Sequence, residues 1–140
     1  MQFGDYSDYE QQSAKIRSEN KALLDGFETW LEQSGLKEKT IRKHIGNVDF
    51  YINEYLLYGM LIRPQEGVSL VDEFFNRFFP RKVMWSNVTN TKETVAGLKK
   101  FYRFLVDTGS VDDADYRQFL AEVKSGMPEW LEHYRYLDEW

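Results

Sequence analysis

Hydrophobic residues recur along this chain every three or four positions, and polar runs carrying Gly or Pro separate the repeats. Leu23, Leu24, Phe27, Trp30 and Leu31 make the first clear stripe, the period of a helix with one buried face. Ser18 is placed to cap that helix, Glu19 suits its positive first turn, and Gly35 supplies the left-handed residue that ends it. A second helix is predicted from Glu38 to Tyr58, with Ile41, Ile45, Val48, Ile52, Tyr55 and Leu56 inward. A third runs from Leu70 to Phe79. Ser69 with Asp72 resembles a capping box at its start, and Pro80 stops it. Asn90 with Glu93 caps a fourth, from about Thr91 to Asp107, whose face is Val95, Leu98, Phe101, Tyr102 and Leu105. Gly97 lies inside it, where a close neighbour is expected, and Gly109 closes it. A fifth helix, Asp113 to Lys124, carries Tyr116, Phe119, Leu120 and Val123. Gly126 ends it, and Pro128 opens a sixth, Glu129 to Glu139, with Trp130, Leu131, Tyr134 and Leu137 inward.

Residues 1–17 are acidic at first and weakly patterned. Phe3, Tyr6 and Tyr9 recur every three residues, which suits either a short docked helix or an arm. A partly ordered arm is expected. No segment keeps the two-residue period of a strand. The expected fold is therefore all-α, a single-domain bundle of five to six helices. Its parts are the arm at 1–17, a helical body at 18–111 and an acidic helical extension at 112–140 packed on the same domain.

Composition narrows the chemistry. Of 140 residues, 42% are hydrophobic and 16% aromatic, enough to bury a core without a staple. The absence of cysteine excludes disulfides, thiolate metal sites and a Cys nucleophile. His44 and His133 sit in no metal-ligand spacing, and Asp112, Asp113 and Asp115 lack the Gly and Glu of a calcium loop. No Gly-rich phosphate loop or nucleophile elbow is present. No metal and no cofactor is expected. The first residues lack a basic start and an apolar run, so no signal peptide is read. The longest mostly apolar stretch, Tyr55 to Ile62, is broken by Gly59 and falls short of the about 20 residues of a membrane span. No membrane partner is expected, and a cytoplasmic location follows by default.

Charge is unevenly placed. The chain carries −5 overall. Residues 36–103 nevertheless hold twelve Lys and Arg against seven Asp and Glu, a net of +5, and the rest carries −10. A basic middle flanked by acidic ends suits a surface that meets a polyanion. It equally suits solvated helix faces whose signs neutralise one another. Lys39, Arg42 and Lys43 crowd the start of the second helix, against the helix dipole. The stretch Phe74 to Trp85 mixes rings and bases. It can grip a base or a partner helix, but the favoured reading has Phe74, Phe75, Phe78 and Trp85 closing the core with the bases outward. Trp140 either docks on the body or serves as an interaction handle.

Two segments carry a family resemblance. Phe27-Glu28-Thr29-Trp30-Leu31 leads through Gly35-Leu36-Lys37-Glu38-Lys39-Thr40-Ile41, and Leu98-Lys99-Lys100-Phe101-Tyr102-Arg103-Phe104-Leu105-Val106 ends at Gly109. From Leu24 to about Val111 the chain resembles the N-terminal core-binding, SAM-like domain of tyrosine recombinases and phage integrases. That resemblance implies a domain that clamps duplex DNA through the starts of its second and fourth helices. Carried over, the candidate contacts are Lys39, Thr40, Arg42 and Lys43 on the second helix, and Lys92, Lys99, Lys100 and Arg103 on the fourth. Arg81 and Lys82 join them from charge and position alone. Family enzymes add a catalytic domain with a nucleophilic Tyr, Arg and His. Here His133-Tyr134-Arg135 lacks its His-x-x-Arg spacing, and Tyr134 and Tyr136 read as packing and surface residues. A non-catalytic DNA-binding module of mobile-element origin is expected. The alternative is a protein-interaction or dimerisation module using the C-terminal helices.

Overall fold

The structure is a computed structural model that describes residues 2–135, with side chains from 7 to 135. The side chains of Phe3 and Tyr6, and residues Tyr136, Leu137 and Trp140, lie outside the described residues. Every regular element among them is helical. The chain forms two compact units, Met1–Pro64 and Gln65–Trp140. Residues 18–64 and 65–111, expected in one body, therefore belong to different units, because burial follows the pairing of helix faces and not the shifts in composition along the chain.

In the first unit, α1 spans Gln2–Gln33. Residues 2–17 are thus not a separate arm but the first half of one long helix. Its buried line continues backwards from Leu31 and Phe27 through Asn20, Ile16 and Ser13. Ser and Asn interrupt the apolar signal but keep the helical spacing. Polar contacts fasten α1 at Tyr9, Glu19 and Asn20. The Tyr9 hydroxyl donates to the Leu57 carbonyl and accepts from the Gly59 N–H at 3.1 Å. Arg63 Nε donates to Glu19 Oε1 at 2.9 Å, which lowers the Glu19 pKa. Asn20, wholly buried, donates from Nδ2 to Asn53 Oδ1 at 2.8 Å and to the Ile52 carbonyl at 3.4 Å. Asn53 is oriented in turn by its own bond to Asp49 Oδ1 at 2.5 Å.

A turn follows α1. The Ser34 and Gly35 N–H groups bond back to Leu31 and Glu32, and Gly35 takes φ +78°, as its helix-ending role requires. Helix α2 covers Glu38–Asp49 and runs without a break into a π turn, Phe50–Tyr55. Ile41, Val48, Ile52, Tyr55 and Leu56 are buried as expected, while Ile45 is half-buried and His44 takes a buried position. Helix α1 packs against both α2 and this π turn.

The second unit opens with a 3₁₀ turn, Glu66–Ser69. Ser69 and Asp72 do not form a capping box. Ser69 Oγ donates back to the Glu66 carbonyl, and Asp72 accepts from Trp130 Nε1 at 2.9 Å. One bent helix comes next: α3 (Val71–Glu73), a π turn (Phe74–Phe78) and α4 (Phe79–Lys82). Pro80 does not stop it. A proline ring collides with the carbonyl four residues back in a regular α turn, and the preceding π turn widens the ladder so that the helix passes through.

Helix α5 spans Val88–Asp107. Its cap is Asn87, whose side chain accepts from the Asn90 N–H at 2.7 Å, and not the expected Asn90. Asn90 lies inside the first turn and uses its amide on the Trp85 carbonyl at 2.5 Å. Gly109, at φ +80°, closes the helix. Helix α6 then runs unbroken over Asp113–Glu132, where two helices were expected. Phe119, Val123, Gly126 and Trp130 keep one buried line through Gly126 and Pro128, and packing of that line outweighs the local breakers. Trp130 is fully buried and stacks on Phe75 at 4.7 Å. Helix α6 packs on α5 and on the bent helix.

Candidate nucleic-acid interface

On α2, residues 39, 42, 43 and 46 fall on one face by helical spacing, and Lys39, Arg42, Lys43 and Gly46 are all exposed. Thr40 lies a quarter-turn away and is half-buried. The helix is capped only by the extended backbone of Lys37, with no side-chain cap bond. Glu38 is the acidic residue of its first turn. Its carboxylate receives Arg42 at 2.6 Å from Nη2 and 3.2 Å from Nε, which together with Glu28 holds the guanidinium firmly in its charged form. Arg42 therefore turns toward carboxylates. It forms part of the rim of a groove of about 670 Å³, whose apolar floor is Leu36, Ile41 and Ile45 and whose other rim residues are Glu28, Glu32 and Glu38.

The remaining candidates belong to the second unit. Lys92, Lys99 and Arg103 are exposed along one face of α5, a line about 16 Å long at 1.5 Å per residue. Lys100 is a quarter-turn off that line and half-buried. Arg103 Nε approaches Asp107 Oδ1 at 3.3 Å. The Lys99 carbonyl accepts from the Tyr116 hydroxyl at 3.2 Å, and burial pushes the Tyr116 phenol upward. Arg81 and Lys82 end α4, and both are exposed.

Sequence reasoning placed Trp85 in the core, and the structure corrects this. Phe74, Phe75 and Phe79 are buried and pack edge to face and tilted against one another. Trp85 is 58% exposed and Met84 99% exposed. Val83 is the buried anchor between helix and turn. The Ser86 N–H bonds to the Val83 carbonyl at 3.0 Å, so Met84 and Trp85 occupy the two central positions of a tight turn. Ser86 and Asn87 after two large apolar residues were the available signal for that turn.

Tyr134 is buried, in keeping with a packing role. His133 Nε2 lies 3.1 Å from Asn76 Oδ1, beside Glu129, which accepts from the same Asn76. Among the described residues no group of His, Asp or Glu could hold a metal ion, and no helix is long and apolar enough to cross a membrane. No protein family, curated protein or solved structure matches this chain.

Proposed function

We propose that this chain is a non-catalytic DNA-binding module that holds the phosphate backbone. The observation that carries the reading is the exposed cationic face that each unit presents on one helix: Lys39 and Lys43 on α2, Lys92 and Lys99 on α5. Lysine ammonium groups neutralise phosphates as point charges and release condensed counterions. Such contacts position a protein on a duplex without reading its sequence. The resemblance of residues 24–111 to the recombinase core-binding domain points the same way. Arg42 and Arg103 lie on the same two faces, and each also meets a carboxylate at i±4.

The test is a titration of duplex DNA across a range of salt. Engagement of about four phosphates gives a slope of log affinity against log salt near −3.6. Replacing Lys92 and Lys99 together by Gln then reduces the slope by about 1.8. Absence of binding at the lowest ionic strength removes the proposal. A second reading, a protein-interaction or dimerisation module without nucleic acid, is supported by the acid-rimmed apolar groove between α1 and α2. Light scattering that shows a dimer lost on Ile45→Glu, with no DNA bound, would favour it.

A further inference from the structure

We propose that the Met84–Trp85 turn inserts between base pairs of duplex DNA and unstacks one step while neighbouring cations hold the phosphates. The inference rests on the DNA reading above and assigns a second, apolar mode of contact to the same ligand.

Three observations lead there. The first is presentation. The turn that carries Met84 and Trp85 is tied at several points: Ser86 N–H to the Val83 carbonyl, Asn90 Nδ2 to the Trp85 carbonyl, Asn90 N–H to Asn87 Oδ1, and the Trp85 ring edge-on to Phe79 at 6.1 Å. A pre-ordered projection loses little entropy when it enters a ligand. The second is charge. Residues 74–92 contain Arg77, Arg81, Lys82 and Lys92 and no acid at all. Asp72 and Glu73 precede this window and Glu93 follows it, and Arg77 and Arg81 line a depression with Asp72, Glu73 and Glu129; Lys82 and Lys92, exposed on either side of the turn in the chain, are the cations that complement a polyanion there. The third is continuity. The turn leads directly into α5, whose exposed face continues with Lys92, Lys99 and Arg103.

These features favour a duplex over a lipid surface. The apolar projection is two residues wide, the scale of one base step, and exposed cations precede and follow it in the chain. An anionic bilayer rewards a broad apolar face instead. Unbranched apolar side chains such as Met serve as wedges between base steps, and an indole stacks on any base without regard to sequence.

The experiment uses the full chain and a short duplex with 2-aminopurine placed at T–A steps, which unstack most readily. Saturation with the unaltered protein is expected to raise the probe's fluorescence. Met84→Ala is expected to abolish most of that rise. Trp85→Ala is expected to weaken binding about tenfold, which corresponds to about 1.4 kcal/mol. That factor should be the same at low and high salt, because stacking releases no counterions, whereas Lys99→Gln should lower the salt slope by about 0.9 and keep the fluorescence rise at saturation. Far-UV dichroism and urea midpoints of the two turn variants check that they remain folded. Tight binding with no fluorescence rise, unaffected by either turn variant, overturns the insertion and leaves the phosphate reading standing. Binding to phosphatidylserine vesicles that needs Met84, with the duplex indifferent to it, overturns the insertion in favour of a lipid surface. No duplex binding at any salt overturns the phosphate reading, and the insertion falls with it.

Discussion

Gly126→Ala sets helix propensity against packing, and the structure predicts which prevails. Gly126 lies inside α6. By propensity alone, alanine there should stabilise the helix by about 1 kcal/mol. A Cβ at this position, however, would stand 2.6 Å from both Cε2 and Cζ2 of Trp130 and 2.9 Å from Nε1. No real Cβ approaches that closely, so the indole must move. It has nowhere to go cheaply: it is fully buried, stacked on Phe75 at 4.7 Å and bonded to Asp72 at 2.9 Å. Overpacking of this kind costs about 1–3 kcal/mol, and loss of a hydrogen bond to a carboxylate adds about 1.5–3 kcal/mol. Set against the propensity gain of about 1 kcal/mol, the net expectation is destabilisation by about 1.5–5 kcal/mol. Gly46→Ala is the matched control, since Gly46 is helical and exposed and its Cβ would meet nothing within 4 Å. There only propensity acts, and a gain of up to about 1 kcal/mol is expected. Urea unfolding followed by far-UV dichroism gives both numbers, read as midpoint shifts at unchanged slope. Stabilisation by Gly126→Ala equal to that by Gly46→Ala would refute the packing argument for the α6 core.

Two further substitutions or conditions probe the interior. Asn20→Ala removes a buried donor to Asn53 and to the Ile52 carbonyl, and a loss of about 1–3 kcal/mol is expected in the same urea assay; an unchanged midpoint would show that α1 is not fastened by this bond. Tyr102 is fully buried, and burial pushes its phenol well above the ordinary 10.0. Because the folded-state value is raised, its contribution is fully present below pH 10 and is lost above it, where the unfolded chain releases the proton. The slope is about 1.4 kcal/mol per pH unit. Absorbance titration should find tyrosine that ionises only with unfolding, and Tyr102→Phe should reduce that component by one tyrosine.

The helical class, and most buried positions of α2, α5 and α6, were legible as apolar residues at 3.6-residue spacing. Gly35 and Gly109 were legible as helix ends because both needs, a stop and a positive φ, are local. The cationic candidates were legible too, since charge is written in the sequence. The first half of α1 was not, because Ser13 occupies a buried position there, and a polar residue signals burial only once its surroundings are known; the buried Asn20, farther along the same line, is a second case. Asn20's partners are Asn53 and Ile52, more than thirty residues away.

Pro80, Gly126 and Pro128 show the converse. Pro80 and Gly126 are local signals to end a helix and Pro128 one to begin a new helix, and each was overridden by a π turn or by a continuous buried line. Sequence alone determined that this chain folds as helices and where its charges lie along them, because periodicity and composition are properties of neighbours. Tertiary packing alone decided that Phe79 enters the core while Met84 and Trp85 stand in water, and that Asn20 meets Asn53 and the Ile52 carbonyl. Those outcomes depend on which distant surfaces meet, and no short-range pattern encodes that meeting.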